Sequence, residues 1–249
     1  MKSLTMLGTI DRRILVSYRI DPEVARRFVP APFRPALRVG VAVGGICLIR
    51  LTELRPSPLP SLLGVTTENI AHRFAVEWDG PSGLATGVYV PRRDTSSRLA
   101  PVLGGRAFPG TMAHGRFHVH EGSDRVHVRY RSDDGMVGIE VRSRHADGLP
   151  AGSLFETVDE ASEFFRRDSL GFSPARAGGS CQGVELQTTT WNVQPLDIGC
   201  VHSSWFDDEA RFPRASIELD SALLMRGIPA RWVAHDPTDS PRESTCESA

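Results

Sequence analysis

The chain has 249 residues, a formal net charge of -1 and 40% hydrophobic residues, enough for one large core and too apolar for wholesale disorder. Without a basic block, and with aromatic residues not interleaved with arginine, it is not expected to have a nucleic-acid partner. It has no run of about 18 apolar residues and no signal-like opening, so no membrane partner is expected and the chain reads as cytoplasmic.

The 23 glycines and 18 prolines call for many turns and few long helices, hence a strand-rich domain. The four cysteines, at 47, 181, 200 and 246, show no CxxC pair and encode no local zinc cluster or disulfide framework. Lysine occurs once, as Lys2, which excludes any mechanism needing an internal Schiff-base lysine.

Ile14 to Ile20 reads as a first strand, and Asp21-Pro22-Glu23 as a helix start with a capping carboxylate, a pre-set φ and an acid at the positive end. Pro30 and Pro32 stop that helix. Leu37 to Leu54 is apolar, with Ile46 to Leu51 a strand exposing little surface. Arg50 in that strand fits a structural ion pair, an edge position or a ligand contact. The proline-punctuated loop Arg55 to Gly64 has an apolar tip that suits a lid, a dimer contact making a homo-oligomer, or a covering loop, the ordinary outcome. Glu68 to Trp78 alternates, with Ile70, His72 and Phe74 on one face and Asn69, Ala71, Arg73 and Glu77 on a second, less apolar one. DGPSG turns the chain into Leu84 to Val90.

Pro91 then gives way to Arg92, Arg93 and Asp94. Asp94 or Thr95 caps a short predicted helix over Ser96 to Leu103, and a Gly- and Pro-rich crossing follows at Gly104 to Gly110. A hairpin with EGSD as its turn pairs His118 with His127 and Arg116 with Arg129, clustering His118, His120 and His127. Nearby arginines and the lack of a local carboxylate or thiol make this a solvated face, and no metal site is expected. Val137, Ile139 and Val141 form the next strand. Thr157 and Glu160 have capping-box spacing before a helix burying Ala161, Phe164 and Phe165. Ala175 to Gly183 is a connection, Val184 to Val193 a strand with Gly199 to Phe206 as its partner, and Ser216 to Met225 a buried segment. RGIPARWVA adds a final turn and strand. Residues 10–235 form one domain, and the polar tail 236–249 is expected to be disordered.

The phrases PAPFRP, GICLIRL, TTENIAHRFAVEW, GVYVPRRDTSSRL, GGRAFPG, DEASEFFRR, SSWFDD and SALLMRGI together resemble the bacterial family DUF2071 over nearly all of residues 10 to 235. That family looks related in fold to acetoacetate decarboxylase. The resemblance implies a single α+β, strand-rich domain with a few short helices and a closed or cone-like antiparallel sheet around a cavity. The decarboxylases carry their catalytic lysine after a crossing similar to Gly105 to Ala113, where this chain has Thr111, Met112 and Ala113. They also place acids near the amine, and Glu68 and Glu77 lie in a comparable part of the chain.

The candidate anion holders are Arg92, Arg93, Arg106 and Arg50, since a guanidinium grips a carboxylate with two parallel bonds. Neighbouring strand residues point to opposite faces, so one of Arg92 and Arg93 is structural, paired to Asp94 or Glu77. His72 and His114 are the candidate proton carriers, with Glu68 or Glu77 as orienting or acidic groups. The expected function is a lysine-independent lyase, isomerase or cyclase acting on a small acidic or keto-bearing molecule, with no cofactor. Its alternative is a small-molecule binding or sensory protein that kept the cavity without the amine chemistry.

Overall fold

The computed structural model describes residues 5–98, 108, 110, 112–175 and 181–235. Their elements run β1 (Thr5–Ile20), α1 (Pro22–Arg26), β2 (Arg34–Pro35), β3 (Leu37–Arg38), β4 (Val41–Pro56), β5 (Val65–Gly80), β6 (Gly83–Thr95) and β7 (Met112–Glu121). They continue with β8 (Arg125–Ser132), β9 (Gly138–His145), α2 (Val158–Arg167), β10 (Leu170–Pro174), β11 (Cys181–Thr188), β12 (Gln194–Ser203) and β13 (Ile217–His235). Most of the predicted helix over Ser96 to Leu103, the crossing with Arg106, Thr111 and the tail 236–249 lie outside the described residues.

All the strands belong to one sheet, whose pairings return on themselves twice. One circuit runs β13, β1, β4, β5, β6, β10, β11 and back to β13. The other shares β13, β1, β4, β5 and β6 but returns through β7, β8, β9 and β12. The shared strands are therefore covered on both faces. In β1, Ile14, Val16 and Tyr18 enter one core while Ile10 and Leu15 enter the other. This explains why these stretches are so apolar: a strand buried on both sides loses the polar half of its alternation.

The helices start where their caps predict. Asp21 accepts from the backbone N–H groups of Glu23 and Val24 at 2.9 and 3.1 Å, and Thr157 from that of Glu160 at 3.1 Å. Helix α2 buries Ala161 and Phe165 against the second core.

Several expectations are corrected. β11 and β12 do not pair with each other; both pair with β13, β11 along Ala230 to His235 and β12 at Ala222 to Leu224. The segments from Ser216 onward form one strand from Ile217, with Gly227 at φ +62° inside it where a turn was expected. The β7–β8 hairpin is tighter than an EGSD turn, because Glu121 itself pairs with Val126. His120 thus faces His127, His118 faces Arg129 and Arg116 faces Arg131. The Arg55 to Gly64 loop does not cover the body, since Leu62 at its tip is 92% exposed.

A candidate anion pocket on one face of the shared strands

Residues that pair across neighbouring strands point to the same side, so register decides which side chains meet. On one face of the shared strands three rows cross the sheet. They are Arg13, Ile49 and Asn69; then Leu15, Cys47, Ala71, Arg93 and Met112; then Ser17, Gly45 and Arg73. Gly45 is needed for the close approach of β4 to β1, because a Cβ there would stand 2.1 Å from the Val16 carbonyl oxygen.

These rows floor a pocket of about 110 Å³ to which all seven strands of the first circuit contribute. Asp168, the residue that ends α2, enters from the side. The walls are mostly apolar, with Val88, Val90, Leu186 and Trp232 among them. Three guanidinium groups face this small space: Arg13, Arg73 and Arg93.

Their partners are few. Arg13 Nε donates to Cys47 Sγ at 3.1 Å, and Arg93 Nε to Ser173 Oγ at 3.2 Å. Arg73 is only 5% exposed, yet its Nε and Nη2 have no hydrogen-bond acceptor, and neither does Arg13 Nη1. Aromatic rings take part of the load: Arg73 lies 4.7 Å from the Phe165 ring centre and Arg13 5.7 Å from that of Trp191. Burial pushes Arg73 and Arg93 down to about 10. Burial pushes the Asp168 carboxyl up to about 7, although Arg73 opposes the shift, and its Oδ2 has no partner. The site thus combines under-satisfied cationic donors with an acid that exchanges its proton near neutral pH.

Of the residues singled out from the sequence, Arg93 lines this pocket. Arg92 pairs across the sheet with His72 and Arg93 with Ala71, so the pleat sends Arg92 to the opposite face. There Arg92 binds Asp94 at 2.8 Å and Asp134 at 2.9 Å, while Asp94 also accepts from Tyr130 Oη at 2.8 Å. His72 is fully buried between Trp205 and Phe206, with neither ring nitrogen hydrogen-bonded. Burial, aided by Arg92 and Arg211, pushes its imidazole down to about 3, which keeps it neutral near pH 7.

The remaining candidates lie apart from the pocket. Arg50 joins a network with Asp11, Glu121 and Glu68 at 3.5, 3.4 and 3.9 Å. Glu68 also receives the fully buried Arg12 at 2.5 Å, and desolvation raises its carboxyl above the usual range despite the arginines. Glu77 pairs with Arg34 at 2.8 Å, and His114 Nδ1 lies 2.6 Å from Asp133. Arg106 lies outside the described residues. Sequence reasoning did not single out Arg13, Arg73, Asp168 or Cys47. Arg73 had left a signal, since it sits on the less apolar face of β5 beside Asn69; Asp168 had left none beyond following a capped helix.

The larger, open groove over Arg116, His118, Arg129, Glu140 and His202 is of another kind. Its one carboxylate, Glu140, already pairs with His127 at 3.0 Å and Arg142 at 2.6 Å. No cluster of three or more potential metal ligands occurs among the described residues. Cys47 and Cys200 are free thiols and Cys181 is disulfide-bonded, a bond the spacing of the cysteines had not foretold. No described helix is long and apolar enough to cross a membrane.

The fold is that of the acetoacetate decarboxylase-like proteins. An acetoacetate decarboxylase-like enzyme from Sphingomonas wittichii RW1 superposes with a TM-score of 0.57 at 12% identity, covering 94% of this chain and 91% of that one. The enduracididine biosynthesis enzyme MppR, complexed with pyruvate, gives 0.56 at 12% identity over 95% and 90%. Acetoacetate decarboxylase from Legionella pneumophila subsp. pneumophila str. Philadelphia 1 gives 0.55 at 11% identity over 92% and 84%. By sequence, the chain belongs to DUF2071, a family of uncharacterized conserved proteins whose model matches residues 9–227. No relative is found among curated proteins.

Proposed function

We propose that the first circuit of strands forms a closed sheet around a cavity that binds a small carboxylate, and that the protein is a lysine-independent enzyme acting on an acidic or keto-bearing substrate. One observation carries the reading: Arg73, 5% exposed, keeps guanidinium donors without acceptors and lines a pocket together with Arg13 and Arg93. Leaving a buried cation unpaired costs several kcal/mol, a penalty that an arriving carboxylate relieves. The volume of about 110 Å³ suits an acid of a few carbons, given that a cavity of about 150 Å³ holds benzene.

Asp168 is the proton carrier in this reading. With its pKa at about 7, it is near the point where a group both accepts and donates protons at neutral pH. The guanidinium groups would fix the carboxylate and stabilise negative charge developing on an adjacent carbonyl oxygen. That MppR is described with pyruvate supports a 2-oxo acid as the first ligand class to try. Glu68, Glu77, His72, His114, Arg92 and Arg50 are assigned structural parts in this proposal, because each is paired or buried elsewhere.

Binding without turnover is the second reading, favoured by a lysine inventory that ends at Lys2. Calorimetric titration with pyruvate and a panel of short 2-oxo and dicarboxylic acids, followed by NMR of the recovered ligands, separates the two. Saturable binding that Arg93→Gln weakens is expected, with a chemically changed ligand for the enzyme and an unchanged one for the binding protein. No binding of any small carboxylate would remove both readings.

A further inference from the structure

We infer that Cys47 is a covalent attachment point for electrophilic carboxylates, a role that rests on the carboxylate pocket proposed above. Cys47 occupies the middle row of the floor, between the rows that hold Arg13 and Arg73 and in the same row as Arg93. It is a free thiol, 2% exposed, and it lines the pocket, so the pocket is the route by which a reagent meets it. Arg13 Nε donates to the sulfur at 3.1 Å and fixes its direction.

An independent observation points to a ligand at the same place. Arg73 lines this pocket from the next row, 5% exposed, and its Nε and Nη2 have no hydrogen-bond acceptor. Arg13 Nε lies 3.1 Å from the sulfur, so a carboxylate seated on that guanidinium group holds its neighbouring carbon close to Cys47. The gain is one of proximity: the cations concentrate and orient an anionic electrophile beside a thiol that neutral reagents reach only by chance.

For a 2-oxo acid the step is an addition. The sulfur forms a bond to the carbonyl carbon, the carbonyl π pair moves to oxygen, and the thiol proton ends on that oxygen, giving a hemithioacetal with no leaving group. Asp168 shares the pocket and can relay the proton. With a 2-haloacid the same approach displaces halide: the sulfur–carbon bond forms, the carbon–halogen bond breaks, and the thiol proton goes to water.

Iodoacetate and its neutral analogue iodoacetamide provide the test. The rate of alkylation at Cys47 is followed by peptide mass spectrometry on the intact folded chain, with 2-mercaptoethanol as the reference thiol. The expected result is an iodoacetate-to-iodoacetamide rate ratio at Cys47 at least about tenfold above that of the reference, the lower end of what charge-lined clefts achieve. Acetate, which cannot react, should suppress the excess in the unmodified protein, and Arg73→Gln should remove it. A ratio equal to the reference, or no labelling of Cys47, overturns the inference. In that event, acetate binding measured by calorimetry on the same sample decides separately whether the anion pocket stands, because a carboxylate with no electrophilic carbon forms no bond to Cys47.

Discussion

Arg73 is placed on the pocket face by nothing more than its position in β5, opposite Gly45 and two residues from Ala71. Its burial against the Phe165 ring without an acceptor makes it expensive in the empty protein. Arg73→Met should therefore stabilise the unliganded chain by about 1 kcal/mol or more in urea denaturation. The same change should weaken carboxylate binding about tenfold to a hundredfold, the loss expected for hydrogen bonds to a charged group. A variant that loses both stability and binding would mean that Arg73 serves the fold. Asp168 gives the second residue-scale expectation. Its pKa is raised by burial from 3.8 to about 7. Below pH 3.8 folded and unfolded chains both hold the proton, and as the pH rises toward about 7 the unfolded chain releases it first, so stability falls. Asp168→Asn should flatten the stability profile across that window, read from urea midpoints at successive pH values, and should also abolish any rate dependence on a group titrating near 7.

At the scale of elements, α2 is the part that aims the acid. Its start was legible: Thr157 is an N-cap with an acceptor oxygen, and the Ala161 and Phe165 spacing marks the buried side. Where the helix ends relative to the pocket was not legible, because the C-terminal Asp168 meets residues of β5 far away in sequence. Thr157→Ala should cost about 1 kcal/mol of stability. It should also loosen the hold on Asp168, seen as faster amide exchange across Val158–Arg167 than in the parent chain. Unchanged exchange would mean that packing of Phe165 alone secures the helix. The pair Arg92 and Arg93 makes the same point for a strand. Alternation requires them to part company, but only the pairing of β6 with β5, Arg92 against His72 and Arg93 against Ala71, decides which goes where.

For the whole molecule, the shared strands carry a separate hydrophobic cluster on each face, and these two clusters are its compartments. The compartment behind the pocket is filled by an aromatic cluster in which Phe206 meets Tyr18 at 4.9 Å and Phe212 at 5.2 Å, with His72 at 5.9 Å. Phe206→Ala should cost about 3–5 kcal/mol. Because Phe206 packs on the face away from Arg73 and Arg93, carboxylate affinity of the folded variant should stay within about twofold of the parent, given that well-separated sites add nearly independently. A large affinity loss in a folded sample would show that the two compartments are coupled through the shared strands.

The sequence by itself determined the strand-rich class, both helix caps, the burial of β4, and the absence of any lysine but Lys2 to serve as an amine catalyst. These follow from local rules: capping chemistry, alternation and inventory are properties of neighbouring residues. It also marked Arg93, within the pair Arg92 and Arg93, as a group that could face a ligand. Only the tertiary structure decided that Arg13, Cys47, Arg73 and Asp168 join Arg93, while His72 goes to the aromatic core and Glu68 and Glu77 to ion pairs. The physical reason is register. A slip of one residue in any shared strand would send its side chains to the other compartment, and that choice is settled by packing between segments that are distant in the chain.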